Sequence, residues 1–454
     1  MLLIPFRNVV LNCFLSCKLH ILLLLILINS TNLHSQTTLI PDSNFEQALI
    51  SLNIDTNGLN GNILNSDAFA VTTLFIGNIG VNDLTGIEAF KSLVHLFAYN
   101  NQLTSIDLSY NPYLEVLDLD NNNLSSLNLD VNTALKSVYI SNNNLSTLDV
   151  SNNLQLEFLS CNLNTISTLE LSANTALKDL RCYDNNLSTI DFSSNTNLEY
   201  LFISQNNLSA LDVSSNTALR TITCDNNNLN NLDVSNNVAL RYFSCSNNNL
   251  SNLDLSSNSS MKYLLCNNNN LTSLDVSNLE DLFLFYTQNN QIQDIDISNN
   301  PDVKYVRAEH NLLNTIDVRN GNNHRINEFV VTNNENLNCV FVDNTTASYL
   351  NDWEVGSSCN FVADENECQT LSAQDFLEVD FAMYPNPVTA SQVTVNLNAP
   401  KASISLYTVN GQFLLKKDLE QGNNTIDISR LSTGLYIAAI KTEDSTITKK
   451  LVIQ

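Results

Sequence analysis

A single 21-residue unit is repeated eleven times in the middle of the chain, with no insertion or deletion between copies. Positions 1, 4, 11, 14 and 16 are apolar in every copy, and position 9 is always Asn. A unit this short cannot bury its own apolar side chains, so successive units must stack on one another. The repeat predicts a solenoid with one coil per copy, which at about 4.8 Å per strand would be about 50 Å long. The copies begin at Leu93, Leu114, Leu135, Leu156, Leu177, Leu198, Leu219, Leu240, Met261, Leu282 and Val303.

Each unit contains one short strand followed by an inward turn. Positions 3 to 7 alternate between outward and inward residues, which is typical of a β-strand. The invariant Asn comes after that strand, where the turning backbone needs partners. An Asn amide offers two donors and an acceptor, so it can bond its own turn and the next coil. We therefore predict a structural Asn ladder of Asn101, Asn122, Asn143, Asn164, Asn185, Asn206, Asn227, Asn248, Asn269, Asn290 and Asn311.

The pattern LxxLxCxxNxL, as in residues 177–187, resembles the leucine-rich repeat. The resemblance covers residues 71–337, with degenerate copies on both sides of the regular array at 93–323. It implies a mostly β fold, a curved solenoid with a parallel β-sheet on its concave face. Because 21 residues leave little room for a convex helix, we expect either a second extended stretch or a tight 3₁₀ turn there. This is closer to the bacterial internalin type than to the helix-backed type.

The first 36 residues have the composition of a secretory signal. Arg7 and Lys18 precede an apolar run at residues 21–28, which is too short to span a bilayer. We predict cleavage near Ser35 or Gln36. A lipoprotein signal ending at Cys17 is the weaker alternative, because the main apolar run follows that cysteine.

Both ends of the repeat array need covers. Residues 37–70 are predicted to form an N-terminal cap that contains a helix capped by Asp42 or Ser43. Residues 338–361 are predicted to form a C-terminal cap around Trp353, closed by a disulfide between Cys339 and Cys359. Residues 362–380 are interpreted as an acidic linker.

Residues 381–454 differ from the repeats in pattern and carry nearly balanced charge. The motifs YPNPV at 384–388, NGQ at 410–412, SRLSTGLYI at 429–437 and terminal KKLVIQ resemble the C-terminal sorting domain of the type IX (Por) secretion system of Bacteroidetes. That resemblance implies a small β-sandwich recognised by outer-membrane export machinery. It also implies a secreted or cell-surface protein, with the domain often cleaved. An ordinary β-sandwich binding module is the alternative.

The cysteines fall into two groups. Position 6, an inward strand position, holds Cys161, Cys182, Cys224, Cys245 and Cys266. We predict that these are free thiols in the core, because parallel neighbouring strands give poor disulfide geometry. Among the three cysteines after the repeats one is expected to stay unpaired, and the state of Cys368 is left open.

The composition argues against several classes of function. The chain has 46 acidic and 20 basic residues, a net charge of −26, which excludes a typical nucleic-acid partner. The five histidines form no local catalytic arrangement. The loop at residues 55–61 resembles a calcium loop only faintly, because Leu59 and Ser66 occupy ligand positions. We predict no enzyme activity, no metal site and no cofactor.

Position 15 is an acidic column with two open interpretations. Like charges about 5 Å apart repel one another unless they are solvated, hydrogen-bonded or shared with cations. The carboxylates therefore either bond nearby backbone donors or bind bridging calcium. The column consists of Asp107, Asn128, Asp149, Glu170, Asp191, Asp212, Asp233, Asp254, Asp275, Asp296 and Asp317.

The outward strand positions 3, 5 and 7 carry the residues best suited to binding, because aromatic and Arg side chains supply much of the energy of protein interfaces. An open sheet has no deep pocket, so we predict a protein or glycan ligand and a monomeric chain. The alternatives are a surface enzyme, a spacer without a ligand, and aromatics that merely suit exposed strands. The predicted ligand-binding residues are Phe97, Tyr99, Tyr139, Phe158, Arg181, Tyr183, Tyr200, Phe202, Tyr242, Tyr263, Tyr286, Tyr305 and Arg307.

Overall fold

The computed structural model describes residues 36–374, 381–442 and 446–454. The predicted secretory signal lies outside the described residues, apart from Gln36. The chain divides into two compact units, Met1–Glu365 and Asn366–Gln454. The first contains a solenoid with its end caps, and the second contains an antiparallel β-domain.

Thirteen parallel strands form the main sheet of the solenoid. Neighbouring coils pair in register, so that Thr221 lies opposite Tyr242 and Tyr242 lies opposite Tyr263. The predicted leucine-rich-repeat fold class is thereby confirmed. The strands are β3 (Thr73–Phe75), β4 (His95–Phe97), β5 (Val116–Asp118), β6 (Ser137–Tyr139), β7 (Phe158–Ser160), β8 (Asp179–Arg181), β9 (Tyr200–Phe202), β10 (Thr221–Thr223), β11 (Tyr242–Ser244), β12 (Tyr263–Leu265), β13 (Leu284–Tyr286), β15 (Tyr305–Arg307) and β17 (Glu328–Val330).

The convex side changes along the solenoid. In the regular coils before residue 294, the convex segments are turns and bends. In the last coils a second parallel sheet forms from β14 (Asp294–Asp296), β16 (Thr315–Asp317), β18 (Cys339–Phe341) and β19 (Asn360–Val362). Short 3₁₀ turns lie at Ile87–Ala89, Asn323–Arg325 and Ser348–Asp352. The expected second extended stretch is therefore present only near the C-terminal end.

The inward positions of the repeat form one continuous core. Position 4 residues such as Leu96 and Leu117 are fully buried. The five position-6 cysteines are buried free thiols, as predicted. Burial raises the pKa of Cys161 and of Cys266 to about 12, so these thiols stay protonated at neutral pH.

Position 8 of each coil has a left-handed backbone, with φ between 53° and 57° in all eleven copies. Asn tolerates this conformation better than other side chains that carry a Cβ, which explains why Asn is common here. Leu163 is an exception, a bulky apolar residue with φ of 56°.

The position-9 Asn side chains form the expected ladder between coils. Asn206 donates to the Cys182 carbonyl of the preceding coil at 3.0 Å and to its own Ile203 carbonyl at 3.1 Å. Its Oδ1 accepts from the Leu187 N–H of the preceding coil at 3.0 Å. The same contacts recur from coil to coil, as at Asn227.

A second Asn ladder, at position 19, lies near the convex side and was not predicted. Asn216 donates to the Phe192 carbonyl at 3.0 Å and to the Asn195 carbonyl at 2.8 Å. Leu279 interrupts this ladder, and the neighbouring Asn278 donates to the preceding coil instead. The ladder consists of Asn111, Asn132, Asn153, Asn174, Asn195, Asn216, Asn237, Asn258 and Asn300.

The N-terminal cap is built from β1 (Thr37–Leu39), α1 (Ser43–Ser51), β2 (Asn62–Leu64) and α2 (Asn65–Phe69). Asp42 is the N-cap of α1, one of the two residues predicted for that position, and its side chain accepts from the N–H groups of Asn44 and Phe45. It also accepts from the N–H groups of Asn82 and Asp83, so one carboxylate ties the cap to the first coil.

The C-terminal cap packs around Trp353, whose ring stacks on Phe329 at 4.2 Å. The predicted Cys339–Cys359 disulfide is wrong, because Cys359 is a free thiol and Cys339 is disulfide-bonded. Cys339 lies opposite Asn360 in the parallel pair, so these two side chains share one face of the sheet. Because successive residues of a strand face opposite sides, Cys359 points away from Cys339. Cys368 is also disulfide-bonded, and it lies in α3 (Glu365–Gln374).

The second unit is a five-stranded antiparallel sheet with its own core, made of residues such as Val395, Ile404 and Ala438. An isolated parallel bridge pairs Val388 with Ile453 near the end of the chain's last strand. Its strands are β20 (Phe381–Tyr384), β21 (Gln392–Thr408), β22 (Phe413–Asp427), β23 (Gly434–Lys441) and β24 (Thr446–Ile453).

Candidate functional site on the concave sheet

The outward positions of the main sheet form columns that cross the strands. Because each strand pairs with the next at a fixed 21-residue offset, position 3 of one coil lies beside position 3 of the next. Position 4 is buried in every regular coil, whereas most side chains at positions 3 and 5 are half-buried. The predicted binding residues therefore share one face of the solenoid, and their contacts divide them into two groups.

The first group lies in the N-terminal half of the sheet. The Tyr139 and Phe158 rings are 4.6 Å apart, and the Arg181 guanidinium lies between Phe158 and Phe202, at 5.1 Å and 5.2 Å from the ring centres. Asp179 accepts two hydrogen bonds from Arg181 and fixes its plane. This arrangement presents a rigid, partly apolar cation to solvent.

Asp118 occupies position 5 between Phe97 and Tyr139 in the neighbouring strands. Burial between these strands raises the pKa of its carboxyl to about 6. Burial also raises the pKa of Asp120, two residues further along the chain. Phe97 itself stacks on Phe75, with ring centres 4.8 Å apart. The N-terminal group is thus an aromatic surface that contains acidic groups.

The second group lies in the C-terminal half and centres on a row of four rings, here called the aromatic row: Tyr242, Tyr263, Phe283 and Tyr305. Successive ring centres are 5.8, 5.7 and 5.5 Å apart. Phe283 comes from position 2 and was not among the predicted residues. The Lys304 ammonium lies 5.2 Å from its ring centre.

A smaller cluster borders the aromatic row. The Arg307 guanidinium lies 5.8 Å from the centre of the Tyr286 ring and 2.9 Å from a carboxylate oxygen of Glu328. The Tyr286 hydroxyl donates to the same carboxylate at 3.0 Å. The row and this cluster bring together five predicted residues: Tyr242, Tyr263, Tyr286, Tyr305 and Arg307.

Three predicted residues stand apart from both groups. Tyr99 and Tyr183 are half-buried at position 7, and Tyr200 is 38% exposed at position 3. Between the two groups, position 7 carries a hydrogen-bonded polar patch. There Asp225 accepts from the Ser204 and Ser244 hydroxyls and from the Ser246 N–H.

Position 2, at the start of each strand, forms a charged column that sequence reasoning missed. Salt bridges join neighbouring coils along it: Lys136 to Glu115 at 2.8 Å, Lys178 to Glu157 at 2.7 Å and Arg220 to Glu199 at 3.0 Å. The regular alternation of Glu with Lys along this column in the sequence was the available signal.

The convex position-15 column forms local turns. Asp212 accepts a hydrogen bond from the Ser214 N–H at 2.9 Å, and equivalent bonds recur along the column, as at Asp107 and Asp233. Hydrogen bonds from Ser214 lower the pKa of Asp212. In the described residues no group of three or more His, Cys, Asp or Glu side chains is arranged to hold a metal ion. The geometry therefore favours the backbone-bonding interpretation.

Comparison with known families identifies the C-terminal unit. Residues 382–454 match the family described as the secretion system C-terminal sorting domain. This confirms the predicted type IX sorting domain, and such a domain implies secretion and localisation at the cell surface. Within the described ranges, no helix has the length and apolar character needed to cross a membrane. No curated protein has significant sequence similarity to the chain.

Solved structures with the same fold include two internalins from Listeria monocytogenes. The functional domain of InlJ, which includes a cysteine ladder, has a TM-score of 0.60 at 22% identity and covers 92% of this chain and 99% of its own. Internalin InlF has a TM-score of 0.55 at 20% identity, covering 71% and 96%. The ectodomain of the Arabidopsis thaliana receptor kinase GASSHO1/SCHENGEN3, solved with Casparian strip integrity factor 2, has a TM-score of 0.52 at 20% identity, covering 65% and 42%.

Proposed function

We propose that the chain is a non-catalytic binding protein of the cell surface, which combines an internalin-like leucine-rich-repeat fold with a type IX sorting domain. Its concave sheet binds a protein or glycan ligand. The sorting domain engages the outer-membrane type IX machinery, and residues 37–361 form the ligand-binding part, joined to the sorting domain by a linker at residues 362–380.

One observation carries the proposal: aromatic and Arg side chains are concentrated at positions 3 and 5 of a continuous open sheet. Tyr, Trp and Arg side chains dominate binding energy at protein interfaces. Here the rings are half-buried and in contact with one another, so little conformational entropy is lost when a ligand covers them. The plant receptor solved with its partner is a precedent for ligand binding by this fold.

The experiment replaces Tyr200, Phe202 and Tyr242 by Ser in the full chain. We expect capture of surface proteins and glycans from an array to fall at least tenfold while the thermal unfolding temperature stays within a few degrees. A matched control replaces Tyr110 and Tyr113, exposed tyrosines in turns outside the strands of the main sheet, by Ser. Unchanged capture by the concave variant, or an equal loss in the control, would refute the concave site.

The export step has a separate test. Deletion of residues 382–454 should leave the solenoid folded inside the cell envelope and absent from the cell surface. Antibody labelling of intact cells measures this directly. Surface labelling equal to that of the full chain would show that the sorting domain is not required.

A further inference from the structure

The charge pattern of position 2 changes in the middle of the solenoid. From Glu115 to Glu199 the sign alternates at every coil: Glu115, Lys136, Glu157, Lys178 and Glu199. The next residues in the column are Arg220, Arg241, Lys262, Phe283 and Lys304, so four of five are basic. Like charges side by side on adjacent strands are destabilising. A chain with a net charge of −26 thus concentrates four cations in one stretch of this column.

These cations are largely available to a ligand. Arg220 and Arg241 are exposed. Arg241 forms no salt bridge within the described residues, and Lys262 reaches Asp281 only at 3.4 Å with nearly half its side chain exposed. Lys304 lies against the Phe283 ring. Two nearby carboxylates pair with these cations, Glu199 with Arg220 at 3.0 Å and Asp281 with Lys262. The other acidic groups nearest in the columns bond elsewhere: Asp225 accepts from Ser244, and Glu309 and Glu328 lie against Arg307.

The basic stretch runs directly beside the aromatic row. Arg241 and Tyr242 are consecutive residues, as are Lys262 and Tyr263, and Lys304 and Tyr305. Strands β11, β12, β13 and β15 are successive members of the sheet, so the basic column and the aromatic row cross the same strands. They meet at Phe283, which occupies position 2 between Lys262 and Lys304 and contacts the Tyr263 and Tyr305 rings. A ligand lying across these strands would contact rings and cations together. This pairing is confined to the C-terminal half of the sheet.

We propose that this surface binds a linear anionic polysaccharide, with its sugar rings on the aromatic row and its acid groups on Arg220, Arg241, Lys262 and Lys304. The inference rests on the proposed concave-face function and names the chemical class of its ligand. Arg pairs with carboxylate or sulfate in fixed geometry, and flat rings pack on the apolar faces of sugars. A linear glycan repeats both features along one direction, as this surface does.

An acidic peptide fits the surface less well. Peptides commonly bind sheets by adding a strand to a free edge. The strands here are internal to the 13-stranded sheet and hydrogen-bond on both sides, so no main-chain edge is available. The acidic residues elsewhere in the chain repel an anionic glycan only weakly, because charges more than about 8 Å apart are largely screened at physiological salt. Ion pairs in direct contact with the cations are screened much less.

The experiment measures binding of the full chain to alginate oligomers, which carry carboxylates, to dextran sulfate oligomers, and to neutral cello-oligomers. We expect at least one anionic glycan to bind tenfold or more tightly than the neutral one, with affinity falling as salt rises. The double variant Arg241→Ser/Lys304→Ser should weaken that binding at least tenfold. The double variant Tyr242→Ser/Tyr263→Ser should also weaken binding at least tenfold, because it removes two rings on which the sugars stack.

The matched control is Lys136→Ser/Lys178→Ser, which removes two cations from the alternating part of the same column. We expect its affinity to stay within about twofold, and circular dichroism checks that all variants fold. Equal loss in the control, equal binding of poly-glutamate, or no preference for anionic glycans would overturn the proposal. If the concave Tyr200, Phe202 and Tyr242 variant still loses capture of another ligand, the binding function stands and only the glycan class is wrong.

Discussion

Replacing Asn206 by Ala tests the ladder that joins the coils. The Leu187 N–H has Asn206 Oδ1 as its one hydrogen-bond acceptor in the described structure, so the change leaves a buried donor unpaired. The Cys182 carbonyl keeps its second donor, Asn185, and the Ile203 carbonyl keeps Asn227. An unpaired buried donor costs about 1–3 kcal/mol, and the lost donated bonds add about 1 kcal/mol. We expect a loss of about 2–4 kcal/mol in the free energy of unfolding.

Two other Asn residues in the same coil serve as controls. Asn207 is exposed, so Asn207→Ala should change the free energy of unfolding by less than about 0.5 kcal/mol. Asn216 is fully buried, but its Oδ1 has no partner within the described structure. The two carbonyls that it bonds each keep a backbone donor. Asn216→Ala removes two hydrogen bonds, but it also removes a buried acceptor that had no partner. We therefore expect a loss of about 1 kcal/mol in the free energy of unfolding.

The shared carbonyls predict a specific failure of additivity. The variant Asn185→Ala/Asn206→Ala removes both side-chain donors to the Cys182 carbonyl, so its loss should exceed the sum of the single losses by about 1–3 kcal/mol. The pair Asn206→Ala/Asn269→Ala, three coils apart, should be additive. Urea unfolding followed by circular dichroism measures all of these. Equal losses of stability for Asn206→Ala and Asn216→Ala, or additive losses in Asn185→Ala/Asn206→Ala, would refute this assignment of hydrogen-bond energies.

Four further outcomes follow from single sites. Leu163→Asn should raise the free energy of unfolding by about 1 kcal/mol in urea titrations, because it relieves a left-handed Leu. The pKa of Asp118 is about 6 in the folded chain and near 3.8 when unfolded, so the folded state holds the proton more tightly and stability should fall as pH rises from about 4 to 6. Thermal melts of Asp118→Asn should show a smaller slope in that range, with the remainder due to groups such as Asp120, whose pKa burial also raises. The core cysteines, with the pKa of Cys161 raised to about 12, should resist iodoacetamide at pH 8 until urea is added, as mass spectrometry would detect. Calcium should leave the melting temperature unchanged, because Asp212 and its equivalents are already bonded to backbone N–H groups; a rise of several degrees would contradict this.

The sequence specified those features that the coil geometry repeats. The 21-residue period fixed the strands, the inward cysteines and the Asn206-type ladder, because any different register would expose an apolar row. The position-19 ladder was not predicted, because Asn is also common in turns and Leu279 interrupts the column. The disulfide was mispredicted because the facing of Cys359 depends on the pairing of Asn360 with Cys339, which lies beyond the regular array.

The candidate site was harder to predict than the fold for a physical reason. Outward residues such as Tyr200 and Tyr242 do not have to be apolar and buried, so the fold does not dictate their identity. Their residue types indicate a binding surface, but they do not predict which side chains touch. The distances that link Tyr263 to Phe283 depend on side-chain directions at two different repeat positions, 3 and 2. Alternation along a strand predicts outward side chains at positions 3, 5 and 7, so the pattern does not predict the position-2 column that carries Lys262 and Lys304.

The constancy of the coil interior has a consequence for how such a surface acquires specificity. The position-9 Asn ladder and the apolar rows hold the backbone of each regular coil in the same conformation, whatever its outward residues are. A substitution at position 2, 3 or 5 therefore changes one surface side chain and leaves the backbone and the neighbouring surface side chains in place. Binding and stability should then respond to different residues: variants at Arg241 or Tyr242 should alter affinity at nearly constant unfolding free energy, whereas Asn206→Ala should lower stability and leave the ligand contacts of the folded chain unchanged.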